Sequence, residues 1–164
     1  MSKRFVVADH HFYHNNIIKY ANRPFNDIDQ MNNILIEKHN QMVNRNDITF
    51  VLGDFSFGNQ QETRNILKKM NGRKILILGN HDVGNKAWWI SVGFEDVIKY
   101  PIIINDFFIL SHKPVYLNDH MPYINIHGHL HSKKYQNSNY VCVSVESTDY
   151  YPINLETLIL TRCY

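Results

Sequence analysis

Carboxylate, amide and imidazole side chains collect at five places in this chain, and each place follows a run that reads as a β-strand. Asp9-His10-His11 follows residues 3–8, Gly53-Asp54 follows 48–52, and Gly79-Asn80-His81-Asp82 follows 74–78. Ser111-His112 comes after 107–110, and His127-Gly128-His129-Leu130-His131 after 123–126. Loops at the carboxyl ends of strands converge in open α/β sheets, so such groups can meet at one centre. Side chains two apart in an extended segment point the same way, which would aim Asp9 with His11 and His129 with His131 at a common point. Gly53, Gly79 and Gly128, each directly before such a residue, would let the backbone turn and approach closely. The chemistry on offer is metal ligation. Asp9, His11, Asp54, Asn80, His112, His129 and His131 are seven candidates, too many for one catalytic zinc with three protein ligands. Two ions sharing one carboxylate would use them all. A mixed N/O donor set without thiolate suits manganese, iron, zinc or nickel better than copper(I), and magnesium less obviously.

Strands and helices must hold these loops in place. The strand at 3–8 is short and apolar, 48–52 is a β-rich run stopped by Gly53, and 74–78 ends at Gly79. Between them, Asp27-Ile28-Asp29-Gln30 has the shape of a capping box and opens a helix. Its apolar positions Ile28, Met31, Leu35, Met42 and Val43 roughly follow helical spacing. A second helix spans 60–70, with Asn71-Gly72 as its stop. Beyond residue 95 the pattern turns to strands: 97–104 and 107–110 around an Asn105-Asp106 hairpin turn, then 123–127 and 140–145. A short helix capped by Asn154 is expected over 154–160. Strand–helix alternation followed by a mostly β second half predicts a layered α/β sandwich.

The 164 residues suit one domain with one core. A hydrophobic share of 44% excludes a disordered chain. Seventeen basic and fifteen acidic residues leave a net charge of +2, too small for binding that rests mainly on phosphate electrostatics. Ten histidines stand against seven glycines, although average usage predicts about eleven glycines. Cys142 and Cys163 are too few and too far apart for a disulfide framework or a cysteine zinc site. Residues 1–8 are too short for a signal-peptide core, and no apolar run approaches a membrane span, so a cytoplasmic location is expected.

The ordered series D-x-H, G-D, G-N-H-D, H and G-H-x-H, running from Asp9 to His131, resembles the calcineurin-like metallophosphoesterase superfamily, particularly its small single-domain bacterial and phage-type members. The resemblance implies a four-layer α/β/β/α sandwich around a centre of two metal ions. It assigns Asp9, His11, Asp54 and His131 to one ion and Asp54, Asn80, His112 and His129 to the other, with Asp54 bridging. His81 would act as general acid or charge stabiliser beside the phosphate, and Asp82 would orient its ring. The protein-phosphatase branch extends G-D to G-D-x-x-D-R-G and has glutamate after G-N-H. Here Phe55-Ser56-Phe57-Gly58 and Asp82 stand in those places, which argues against that type. Little chain is left for a capping domain.

The implied reaction is hydrolysis of a phosphodiester, with a monoester second. A hydroxide shared by two cations would attack phosphorus and His81 would meet the leaving oxygen. An uncapped centre admits an extended substrate, and no array of arginines awaits a dianionic monoester. Nucleotides and nucleic-acid ends fit this description, and no obligate protein partner is implied. Two other readings compete. A non-catalytic scaffold of the same fold usually loses ligands that this chain keeps, and a metal-storage protein predicts histidine tracts rather than one set per strand end.

Around the centre, His14 could reach substrate or cap a helix, and Arg23 could offer a phosphate fork or lie on the surface. His127 reads equally as a supporting group or a buried strand histidine. Trp88-Trp89 could stack on substrate, though adjacent tryptophans more often divide between core and surface. Phe12, Tyr13 and Tyr116 could line a cleft but read as core by default. Lys133-Lys134 reads as solvated loop, and His10, His39 and His120 as structural or surface residues.

Overall fold

The computed structural model describes every residue except Met1, Asp119, Lys134, Gln136, Cys163 and Tyr164. The expectations for Lys134 and Cys163 therefore lie outside the described residues. The amino-terminal half alternates as the hydrophobic pattern requires: β1 (Arg4–Val7), α1 (Ile17–Tyr20), α2 (Ile28–Met42), β2 (Ile48–Val51), α3 (Gln60–Lys69), β3 (Arg73–Ile77), α4 (Lys86–Val92) and β4 (Asp96–Ile98). The rest is β5 (Ile102–Ile104), β6 (Phe108–Ser111), β7 (Ile124–His127), β8 (Tyr140–Cys142), a 3₁₀ turn (Val145–Ser147), β9 (Ile153–Asn154) and α5 (Leu155–Leu160).

Local chemistry sets the helix starts. Asp27 accepts from Gln30 N–H at 2.8 Å and begins α2, although the Gln30 side chain reaches back to Asn26 rather than to Asp27. Asn59 and Glu62 form a reciprocal capping box on α3. Asn154 caps α5 through Thr157 N–H, and Asn85 starts α4, a helix that the sequence pattern alone did not reveal. Trp89 of that helix is core, while Trp88 is half-buried.

Two sheets result, flanked by helices. The first has the order β4-β3-β2-β1-β9, with β1 to β4 parallel and β9 antiparallel to β1. The second runs β5-β6-β7-β8, a β5–β6 hairpin extended by two parallel neighbours. One apolar cluster joins the first sheet to α2, α3 and α4 through Val7, Val51, Leu76, Leu35, Ile66 and Trp89. The other fills the space between sheets with Val6, Phe50, Ile77, Leu110, Ile126 and Val141. Helix α5 closes its edge beside β1 and β9, with Leu155 fully buried. Cover over the far face of the second sheet is light. The β6–β7 connection contains no helix among its described residues, and Asn125 and Tyr140 pin it by accepting from Val115 and Leu117 N–H.

One predicted strand divides. Residues 97–104 cross from β4 in one sheet to β5 in the other, with Lys99, Tyr100 and Pro101 between them. Pro101 has no N–H to give a ladder, so the run cannot continue as one strand. The hairpin after it is as expected: Asn105 and Asp106 both take positive φ, the signature of a tight two-residue turn. The sheets are stitched where the loops gather. Ala8 pairs with Ser144, with Ala8 N–H donating to Val143 O at 2.9 Å and Val145 N–H to Ala8 O at 3.0 Å.

Candidate metal centre

The loops after β1, β2, β3, β6 and β7 meet at one end of the sandwich. There the structure gathers two groups of ligand-type side chains, Asp9 with His11 and His131, and Asp54 with His112 and His129. Within each group the ligand atoms lie within 4.8 Å of one another. Asp54 stands between the groups, its Oδ2 3.6 Å from His11 Nε2 and 3.5 Å from His112 Nε2. Asn80 joins the second group, Oδ1 lying 2.9 Å from His112 Nε2.

The backbone brings these side chains together by a different route from the one expected. Asp9, His11, Asp54, His129 and His131 all adopt positive φ, between 53° and 68°. The i, i+2 pairs are therefore not extended; they converge through left-handed kinks, each costing roughly 1–2 kcal/mol for a residue with a Cβ. Backbone strain of this kind collects at functional sites. Close approach makes two glycines necessary. A Cβ on Gly79 would lie 2.5 Å from Asp54 N, and one on Gly128 would meet Ala8 Cβ at 2.5 Å and Asp9 Oδ2 at 2.6 Å.

The donor set fits divalent cations on three observations. Asp9 Oδ1 and His11 Nε2 are buried without any hydrogen-bond partner, a costly arrangement unless something binds them. Asp9 Oδ2, by contrast, accepts from Ser144 Oγ at 2.6 Å and from His129 N–H at 2.8 Å, so Oδ1 alone is free to ligate. His112 Nδ1 lies 2.9 Å from Leu52 O, so its N–H donates there and Nε2 presents a lone pair beside the oxygens of Asn80 and Asp54. Acceptors facing acceptors need a cation. Burial pushes the Asp9 carboxyl up and lowers His11 to about 2, with Arg23 adding to the effect on His11, so burial disfavours the charged form of both groups.

The supporting groups differ from expectation at two positions. Asp82 does not orient the His81 ring. Its carboxylate accepts from Asp54 N–H at 2.7 Å, Phe55 N–H at 2.8 Å and Gly79 N–H at 2.7 Å, tying the β2 and β3 loops together. Burial raises its pKa to about 6. Arg23 is neither a phosphate fork nor a surface residue. Its side chain is buried and bonds the Asp9 and His10 carbonyls, each at 2.7 Å, and Glu146 Oε1. Glu146 Oε1 also accepts from His131 Nδ1 at 2.8 Å, which leaves His131 Nε2 for the centre. Sequence reasoning missed Glu146 and Ser144, yet Glu146 follows the predicted strand 140–145 and so carries the same strand-end signal as the other clusters.

The remaining candidates fall on both sides. His81 is exposed at the rim, its N–H donating to Asp54 Oδ1 at 2.9 Å. His14 sits beside the centre, Nδ1 3.2 Å from His11 Nδ1, with Phe57 stacked on it at 4.1 Å. His127 faces away, buried near Tyr135 and Tyr140. Phe12, His10 and His39 are buried, whereas Tyr116 and His120 are exposed.

A two-sheet α/β sandwich with nitrogen and oxygen ligands paired across a carboxylate defines a class of metal-dependent hydrolase folds. Comparison with known proteins makes the class specific: the calcineurin-like phosphoesterase model matches residues 3–159, and the chain belongs to that family. It is 34% identical over 171 aligned positions to the uncharacterized protein MJ1445 of Methanocaldococcus jannaschii, covering 97% of this chain and 90% of that protein. Among solved structures, the protein of unknown function AQ665 from Aquifex aeolicus superposes with a TM-score of 0.78 at 24% identity, covering 98% of this chain and all of that one. Pseudomonas putida nuclease MPE shares the fold at a TM-score of 0.54 and 18% identity, over 78% of this chain and 61% of its own.

Proposed function

We propose that this chain is a two-metal phosphodiesterase that favours manganese, works in the cytoplasm as one domain and accepts monoesters less well. The observation that carries the reading is Asp54, whose Oδ2 faces a histidine from each ligand group at 3.6 and 3.5 Å. Divalent cations held by Asp9, His11, Asp54 and His131, and by Asp54, Asn80, His112 and His129, would supply acidified water and neutralise the phosphoryl oxygens.

The protein's own part is placement. Asp54 Oδ1 fixes the backbone of His81, and Asp82 ties together the two loops that carry them, so the imidazole stands at the rim where a leaving oxygen would depart. There it gives a proton to that oxygen. The preference for diesters rests on charge. With Arg23 buried beneath the centre, no arginine lines the clefts around it among the described residues, and nothing there forks a dianion. No helix among the described residues is long and apolar enough to cross a membrane.

The test is turnover. Metal-stripped protein, reloaded with manganese, nickel, zinc or magnesium, is assayed on a bis-aryl phosphate and an aryl monophosphate. Faster release from the diester with manganese is expected. Inactivity on both esters with metal bound would instead mark a scaffold.

A further inference from the structure

Three clefts open on the centre from different sides. The largest, about 470 Å³, runs from His11, His81 and His131 toward α1, where Ile17 and Tyr20 form an apolar wall and Lys133 sits at the turn. A second, about 330 Å³, begins at Asn80 and His112 and passes Lys99 and Lys113. The third, about 260 Å³, lies beyond His81 along Phe57, Val83 and Trp88. A small ester would fill one of these and leave the others idle.

Their chemistry is one-sided. The described linings hold three lysines and no carboxylate, in a chain whose seventeen bases and fifteen acids nearly cancel. Large rings stand in the open beside them: Tyr20 is 76% exposed, and Phe57, stacked on His14, is 43% exposed. Lysines lining two of the clefts and open aromatic rings lining two of them suit single-stranded nucleic acid, whose phosphates take the cations and whose bases are free to stack. A duplex hides those faces in its own stack.

Building on the phosphodiesterase reading, we infer that the substrate is a single-stranded oligonucleotide lying across the centre. One base rests against Tyr20 in the large cleft, and a phosphate beyond the scissile one lies by Lys99 and Lys113. Water adds to phosphorus, the bond to one sugar oxygen breaks, and that oxygen takes the proton. One product ends in a phosphate monoester and the other in a hydroxyl. Three lysines make a short footprint, which agrees with a net charge of only +2. About three phosphates neutralised on a single strand correspond to a salt slope of about −2 in log affinity against log salt.

The test uses a fluorescein-labelled octathymidylate, its duplex with octaadenylate and a bis-aryl phosphate. With manganese, the protein is expected to cleave the single strand. A Lys99→Gln/Lys113→Gln variant should lose about tenfold more kcat/KM on the octamer than on the bis-aryl ester, and Tyr20→Ala should raise KM for the octamer about tenfold. Anisotropy on metal-stripped protein should give the slope near −2, falling to about −1 in the double variant. Turnover of the bis-aryl ester without cleavage of the octamer would overturn the inference, as would equal losses on both substrates or equal affinity for the duplex. Failure on the bis-aryl ester with metal bound would sink the phosphodiesterase reading instead, while the salt slope still tests strand binding.

Discussion

Arg23 holds Glu146 with two nitrogens of one guanidinium, Nε at 2.8 Å and Nη2 at 2.7 Å from the same carboxylate oxygen. That oxygen also accepts from His131 Nδ1, while the rest of the guanidinium takes the carbonyls of Asp9 and His10. One buried cation thus fastens the left-handed loop after β1 to the 3₁₀ turn after β8. Two candidate ligands that follow strands of different sheets, Asp9 and His131, are aligned through it.

Glu146→Gln should weaken metal binding by about 10–100-fold while the chain remains folded, because His131 loses its charged acceptor. Titration calorimetry with manganese reads this directly. Arg23→Met should act on stability, costing about 3–5 kcal/mol in urea unfolding, since the buried Glu146 would lose its permanent cation and keep only the His131 contact. Unchanged affinity in the first variant would show that Glu146 only packs.

His81→Ala should lower turnover of a bis-aryl phosphate by about 10²–10⁴-fold and leave the metal content nearly intact. Elemental analysis beside the kinetic assay checks both halves. Loss of metal would make His81 a ligand.

Gly79→Ala should damage the centre without replacing any candidate ligand, because its Cβ would collide with the Asp54 carboxylate. Its new methyl group would press on Asp54 N at 2.5 Å and force apart the two loops that Asp82 ties. We expect a loss of about 1–3 kcal/mol, in line with other overpacked sites, and a lower metal stoichiometry. Thermal unfolding with and without manganese separates the two effects.

Acid should destabilise the metal-free protein partly through His39, which is outside the candidate ligand set. Its ring is buried, Nε2 lies 3.0 Å from Asn71 O, and burial holds its pKa at about 4, below the usual 6.5. Between those values the unfolded chain binds a proton that the folded chain refuses. Stability is therefore full above 6.5 and falls as pH drops toward 4, by about 1.4 kcal/mol per unit for one such group. Urea unfolding in chelator at pH 7 and pH 5 should show a shallower fall for His39→Asn than for the natural chain. Parallel curves would remove His39 as a contributor.

Much of this architecture is legible in the chain because ligand-type residues recur after apolar runs, and the structure gathers all seven of them. Glu146 obeys the same rule and was overlooked only because it stands as a lone acid in an unremarkable stretch. Arg23 misleads for a physical reason: a guanidinium near an anionic substrate site and one buried beneath a ring of carbonyls look alike in one dimension. Asp82 likewise looks like a partner for its neighbour His81, whereas its oxygens are taken by three backbone N–H groups, two in the loop after β2 and one at Gly79 in its own loop. Handedness was hidden too, since spacing of two residues suits both an extended pair and a pair of left-handed kinks.

Those kinks bear on which element of the periodic table the protein can hold. Histidine and aspartate, with asparagine, are the residues beyond glycine that enter left-handed backbone most readily. Five of the seven candidate ligands stand there. A cysteine or a β-branched residue at those places would meet a steric toll before any question of coordination arose. The chain's dihedral angles therefore act as a filter on donor atoms, admitting oxygen and imidazole nitrogen and turning away sulfur, and with it the soft cations that sulfur attracts.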